Sequence, residues 1–161
     1  MVTITNVEMA DLPAILRIEQ LGFSPEEAGT PAAFTERINC LRETFLVAKL
    51  ASKVVGFVIG PAVNEPFVLD EMYERTPHNL PWGGHQLVLS LATDPVYRRQ
   101  GIGSQLLTEL SQRARKLGRQ TVSLDSLATN VPFYEHNGFH QAGVSPSSHA
   151  GEVWYHMVKQ L

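Results

Sequence analysis

The chain has 161 residues, 43% of them apolar, enough to bury one ordinary globular core and too few to build two large ones. A formal net charge of −3 argues against a nucleic-acid footprint, and no apolar run reaches the roughly 18 residues that a membrane span needs. The single cysteine, Cys40, cannot close an internal disulfide; it reads as a structural residue in a reducing, cytoplasmic setting.

Residues 2–5 alternate as a strand does. Asp11 stands where it would cap a helix over residues 12–20, with Leu12, Ile15, Leu16 and Ile18 near one stripe. After an irregular stretch, Thr30 followed by Pro31 reads as a cap and a first-turn proline, opening a second helix that reaches Cys40. Residues 44–50 and 53–63 read as a hairpin of two strands. Residues 64–84 are rich in Pro, Gly, Asn and charge, and irregular stretches of that length are uncommon unless they serve a function. Residues 85–93 form a buried strand. A glycine turn and a helix from 101 to 116 follow, and Gly118 ends that helix. The remainder reads as a strand over 121–125, a short helix capped by Thr129 and running to His136, and strands over 139–144 and 153–158 around a polar loop. This order predicts one mixed α/β domain over residues 1–161, with a twisted mixed sheet of about seven strands and about four helices on its faces.

The turn after the buried strand carries the chemistry. Arg98, Arg99, Gln100, Gly101, Ile102, Gly103 and Ser104 open a helix. A helix start leaves about four backbone N–H groups without partners, and its dipole favours negative charge. Glycines there let a ligand approach the backbone closely, and two arginines add charge-assisted bonds to phosphate oxygens. The turn is not a Walker A loop, because no Lys follows Gly103, and it is not a dinucleotide fingerprint, because position 106 is Leu rather than Gly. It points to an anion seat for a phosphate-bearing small molecule. No His, Cys, Asp or Glu cluster has zinc or iron spacing, so no metal is expected.

Three segments together resemble the GCN5-related N-acetyltransferase (GNAT) family. LSLATDPVYRRQGIG resembles its pyrophosphate motif, [QR]-x-x-G-x-[GA], through Arg98, Gly101 and Gly103; NVPFYEHNGF resembles its late N-x-x-x-Y-x-x-x-G-F signature through Asn130, Tyr134, Gly138 and Phe139; and FLVAKLASKVVGFVIG resembles its second and third strands. The element order agrees over nearly the whole chain. EMYERTP and FSPEEAG further resemble the arylalkylamine (serotonin-like) N-acetyltransferase group. The H-x-H pair that this group often carries before the glycine turn is absent, since the aligned positions are Leu87 and Leu89.

The resemblance implies strands splayed to admit acetyl-CoA as co-substrate. Leu91, Ala92 and Thr93 would then offer backbone groups to the pantetheine arm, the residues from Arg98 to Ser104 would surround the pyrophosphate, and Asn130 would bond the arm or order its own helix. It also implies that Tyr134 is the general acid at the departing sulfur. The base is open among His85, Glu71, Asp70, Glu26 and a water chain; His85, beside the missing pair, is the histidine nearest the turn. The acceptor pocket is expected between residues 23–30, 66–82 and the late hairpin loop. Phe23, Phe67, Met72, Tyr73 and Trp82 would supply apolar surface, and Glu26, Glu27, Asp70, Glu71 and Glu74 negative charge. The expected activity is direct transfer of acetyl to the primary amine of a small molecule, aromatic amines included, by a monomer or homodimer that binds neither nucleic acid nor membrane. Polyamines, aminoglycosides and protein N-termini stay open as acceptors, and a coenzyme A-binding sensor without catalysis is the alternative of another class.

Overall fold

The computed structural model describes residues 1–161. Strand β1 (Thr3–Asn6) leads through a single 3-10 turn into α1 (Leu12–Gly22) and then α2 (Pro31–Cys40). The hairpin β2 (Phe45–Leu50) and β3 (Lys53–Ile59) follows, then the short β4 (Ala62–Val63). After residues 64–84 come β5 (His85–Val88), β6 (Ser90–Thr93), α3 (Ile102–Lys116), β7 (Thr121–Ser126), α4 (Val131–His136), β8 (His140–Val144) and β9 (Tyr155–Gln160). Thr30 caps α2 as its sequence predicts, its Oγ1 accepting the Ala33 N–H at 3.1 Å. Asp11 does not cap α1. Its carboxylate accepts the Glu8 N–H and pairs with Lys49, so it ties the helix entry to β2. Thr129 likewise leaves α4 uncapped, with Asn130 at the cap position.

The expected mixed sheet is present, and its strands splay into two halves. One half has the order β1-β2-β3-β6 and the other β4-β5-β7-β9-β8. Two strands read from sequence as continuous each break at this division. Residues 53–63 part at Gly60 and Pro61, where β3 ends and β4 crosses to the other half. Only glycine fits at 60, because a Cβ there would lie 1.9 Å from the Leu87 carbonyl oxygen. Residues 85–93 part at Leu89: β5 runs parallel to β7, whereas β6 runs antiparallel to β3. The buried Gln86 amide donates to the Gly60 and Leu87 carbonyls at 2.9 Å, satisfying backbone acceptors that the break would leave unpaired.

Side chains alternate across this sheet into two cores. Leu46, Ala48, Val55 and Val58 pack with Ile102, Leu106 and Leu110 of α3. On the other face Phe45, Val47, Phe57 and Ile59 pack with Ile15 and Ile18 of α1 and Phe34 and Ile38 of α2. Phe34 meets Phe57 edge-on with ring centres 5.7 Å apart. Between them these cores clamp β6 against β3 while leaving its other edge open. No helix is long and apolar enough to cross a membrane.

Candidate active site

The gap in the sheet opens onto the glycine turn. Asp94 ends β6 and is buried. Its Oδ1 accepts the Val96 N–H at 3.0 Å, and its Oδ2 accepts from Arg17 of α1 at 2.9 Å. Burial alone would raise this carboxyl, but the Val96 bond and Arg17 outweigh it and hold the pKa below the ordinary aspartate value. The ionised Asp94 thus pins the start of the turn. Arg99 and Gly101 then take left-handed conformations, at φ 64° and 77°. Their N–H groups, and those of Gln100, Ile102, Gly103 and Ser104, donate to no protein acceptor. Alternating backbone hands of this kind form a nest for an anion, here at the head of a helix whose dipole adds to it. A Cβ on Gly101 would meet nothing within 4 Å, so the seat is open above it, and the exposed side chains of Arg98 and Arg99 flank it. These features fit a diphosphate. Gln100 is the one seat residue whose side chain does not line the groove.

A groove of about 750 Å³ runs from this seat along the free edge of β6. Asp94 N–H donates to Val55, and the Ala92 carbonyl faces Gly56, so these groups turn toward β3. By strand alternation the Leu91 and Thr93 backbone groups turn the other way, into the gap. The expected Leu91, Ala92 and Thr93 therefore divide: two face the groove through their backbone and Ala92 is committed to β3.

Behind the groove lies a smaller, partly open cavity of about 70 Å³. The two meet at Phe23, Glu27, Leu91, Leu127, Asn130 and Tyr134, which line both. Tyr134 is presented by α4, its ring edge-on to Phe133 and Phe139. Its hydroxyl has no hydrogen-bond partner, and burial pushes its pKa well above that of an ordinary tyrosine. Glu27 Oε1 accepts the Ser24 N–H at 3.1 Å, whereas its Oε2 is buried without any partner. Glu19 of α1 also lines the cavity. It accepts from Ser90 at 2.6 Å and from the Gly29 N–H at 2.8 Å, and burial raises its pKa above the usual value despite those bonds and the charge of Arg37. Asp125 is raised by burial as well, although Ser145 donates to it at 2.9 Å and His156 lies beside it.

Two segments roof the cavity, residues 64–84 and the late loop. Tyr73 stacks on His149 with centres 4.2 Å apart and planes 8° from parallel, and Trp154 donates its indole N–H to the His149 carbonyl. Asp70 accepts hydrogen bonds from the Ser147 hydroxyl and the Ser148 N–H, which stitches the late loop to residues 64–84. The expected walls are therefore present, with different residues doing the lining. Phe23, Glu27 and Tyr73 line the cavity; Phe67 instead stacks on His156, Met72 enters a small core with Leu87, and Trp82 lies over Gly118. Glu26, Glu71 and Asp70 do not reach it.

His85 is the main correction. It stands at the far end of β5 from the gap, Nδ1 paired with the Thr121 hydroxyl at 2.8 Å, and lines neither cavity. Burial lowers its pKa. Strand extension explains why sequence proximity misled: four residues along a strand span about 13 Å. Leu89 does face the cavity, and Leu87 is buried in the small core, so neither missing histidine is replaced from its own strand. Besides Glu27, Asn130 and Tyr134, the cavity is lined by Glu19, Arg37, Asp125 and His149, none of which the sequence singled out. Only Glu19 and Arg37 carried a faint signal, as charges on the apolar faces of two amphipathic helices. No group of three or more His, Cys, Asp or Glu side chains is arranged to hold a metal ion.

A split sheet, an anion nest and a tyrosine at the meeting of two cavities define an enzyme that transfers an acyl group from a nucleotide-bearing carrier. The family model described as "Acetyltransferase (GNAT) domain" matches residues 42–141, and the chain belongs to that family: it is an acetyl-CoA-dependent acetyltransferase. It is 30% identical over 147 residues to the [ribosomal protein bS18]-alanine N-acetyltransferase of Escherichia coli K12, covering 88% of this chain and 83% of that one. The crystal structure of the ribosomal-protein-S18-alanine N-acetyltransferase from E. coli superposes with a TM-score of 0.70 at 25% identity, over 99% of this chain and 94% of that one. Ard1 from Thermoplasma volcanium superposes with a TM-score of 0.78 at 24% identity, over 99% and 97%. The arylalkylamine group is not among these similarities, and the E. coli relative is named for a protein substrate.

Proposed function

We propose that this chain acetylates the terminal α-amine of a peptide or protein, within one catalytic domain over residues 1–161. The observation that carries the reading is the small cavity behind Glu27 and Tyr134. Its volume of about 70 Å³ is roughly half of the ~150 Å³ that accepts a benzene ring. An amine on a small head group fits it, with the rest of a chain outside. The similarity to an alanine N-acetyltransferase points the same way.

Acetyl-CoA, when bound, supplies the acetyl group as a thioester. The N–H groups from Arg99 to Ser104 bind its diphosphate, with Arg98 and Arg99 balancing the charge, and Leu91 and Thr93 hold the arm along the open edge of β6. Asn130 orders the same junction from the cap of α4. Glu27 receives the ammonium at its unpartnered Oε2. An amine of pKa near 10 needs about 4 kcal/mol to lose its proton at pH 7, and Glu27, directly or through one water, is the acceptor that the junction offers. Tyr134 stays protonated across the working range because burial raises its pKa, and its hydroxyl gives a proton to the departing sulfur. A cytoplasmic setting suits a lone, reduced Cys40.

A second reading, acetylation of a small arylalkylamine, is favoured by the aromatic roof of Tyr73, His149 and Trp154. Thiol release from acetyl-CoA separates the two. An Ala-initiated peptide should be acetylated at least about tenfold more efficiently than tryptamine or phenylethylamine, a difference of roughly 1.4 kcal/mol. The opposite order would transfer the assignment to arylalkylamines, and reaction with spermidine alone would defeat both.

A further inference from the structure

The cavity holds a cation as well as carboxylates. Arg37 of α2 is only 1% exposed, the largest fully buried side chain of the molecule. Its Nη2 donates to the Tyr73 carbonyl at 2.9 Å, its Nε to Thr76 Oγ1 at 3.4 Å, and its guanidinium lies 4.8 Å above the Phe34 ring. Nη1 makes no hydrogen bond. It lies on the cavity side, where a Cβ on Gly29, another lining residue, would come within 3.3 Å of it. No carboxylate stands within 4 Å of Arg37, although the structure pairs Arg17, Lys49 and Arg113 with acids. Glu19, the acid whose charge acts most on Arg37, is already engaged by Gly29 and Ser90, and burial raises its pKa above the ordinary value.

A buried guanidinium without a counter-ion is costly, and it is retained where a ligand completes it. Clamping residues 73–76 onto α2 explains Nη2 and Nε but requires neither the charge nor Nη1. Glu27 lines both cavities and Arg37 only the inner one. The inner cavity therefore offers an acid at the junction and a guanidinium away from it, beside Glu19 and Asp125, and these can meet a molecule bearing both an ammonium and a carboxylate.

We propose that Arg37 is a specificity-determining residue whose Nη1 binds a carboxylate of the acceptor, close in covalent structure to the nitrogen that is acetylated. This rests on the acetyl-transfer reading and narrows its acceptor class. The carboxylate has two sources, the α-carboxylate of a free amino acid or the side chain of an acidic N-terminal residue.

Matched acceptors distinguish these. The first pair is alanine against alaninamide; the second is Asp-Ala-Ala against Asn-Ala-Ala, both with amidated C-termini so that the Asp side chain is the only carboxylate. In one pair the acid should exceed its neutral partner in kcat/KM by roughly tenfold or more, the scale of one charge-assisted bond. The first pair responding identifies free amino acids and the second identifies acidic N-termini. Arg37→Gln should reduce that ratio to below about threefold, and Arg37→Lys should retain part of it. Loss of the clamp alone would lower activity on both members and leave their ratio intact. If Arg37→Gln does not fold, the wild-type ratios decide, together with inhibition by malonate that is competitive with the amine and not with acetyl-CoA. Equal use of both members in both pairs, or a ratio that survives Arg37→Gln, overturns the assignment while leaving acetyl transfer standing. No thiol release with any amine would remove acetyl transfer itself.

Discussion

Gly101 and Gly103 stand two residues apart at the head of α3, and alanine carries a different cost at each. Gly101 caps the helix at φ 77° and ψ 12°. An L-residue there costs about 1–2 kcal/mol of backbone strain, and its Cβ would meet no protein atom within 4 Å. Gly103 lies within the helix, where alanine is favoured by about 1 kcal/mol. Its Cβ would approach Phe133 Cζ to 3.2 Å, and that ring is 37% exposed and free to yield. At about 2–4 °C per kcal/mol for a chain of this size, Gly101→Ala should lower Tm by roughly 2–8 °C and Gly103→Ala should hold it within about 2 °C. Coenzyme A affinity should follow the same order. A methyl on Gly101 would enter the open space of the seat, and each charge-assisted bond lost costs about 1.5–3 kcal/mol, or roughly 10- to 150-fold in Kd. The motif admits alanine at the position of Gly103, where the Cβ would lie against Phe133, so Gly103→Ala should keep its affinity within about threefold. Calorimetric titration with coenzyme A, set beside thermal melts, measures both quantities. Normal affinity in a folded Gly101→Ala would refute the seat.

Tyr134→Phe should bind coenzyme A within about twofold of wild type yet lose roughly a hundredfold or more in kcat, as expected for one general acid; steady-state rates between pH 7 and 9 test this, and unchanged turnover would exclude the hydroxyl. Glu19→Gln should raise Tm by about 2 °C or more at pH 8, with the gain fading toward pH 4. The sign follows from burial, which lifts the Glu19 pKa on folding. The neutral form is then the one that the fold favours, and the penalty on the ionised form disappears as pH falls through the raised value. Gln can accept from Gly29 and donate to Ser90, so both bonds survive the change; melts showing a gain that is independent of pH would contradict the electrostatic cause.

The sequence by itself determined whatever depends on neighbours along the chain. The glycine turn with its arginines, the cap at Thr30, the stop at Gly118 and Tyr134 within its short helix are all local, because backbone hand, capping and helix phase are set over a few residues. Only the tertiary structure decided where the sheet divides. Leu89 reads as one more apolar strand residue, and the break there depends on Gly60 pressing against Leu87 and on Gln86 satisfying both chains, contacts between residues some 26 apart in sequence. The amine cavity is equally nonlocal. Glu19, Glu27, Arg37, Asp125 and His149 come from five separate segments, and each alone looks like an ordinary helix or loop residue. His85 shows the converse, since it is near the turn in sequence yet remote from it in space, an extended strand carrying it away by about 3.3 Å per residue. Catalytic positioning rests on such convergence, and convergence is a property of packing rather than of any one segment of sequence.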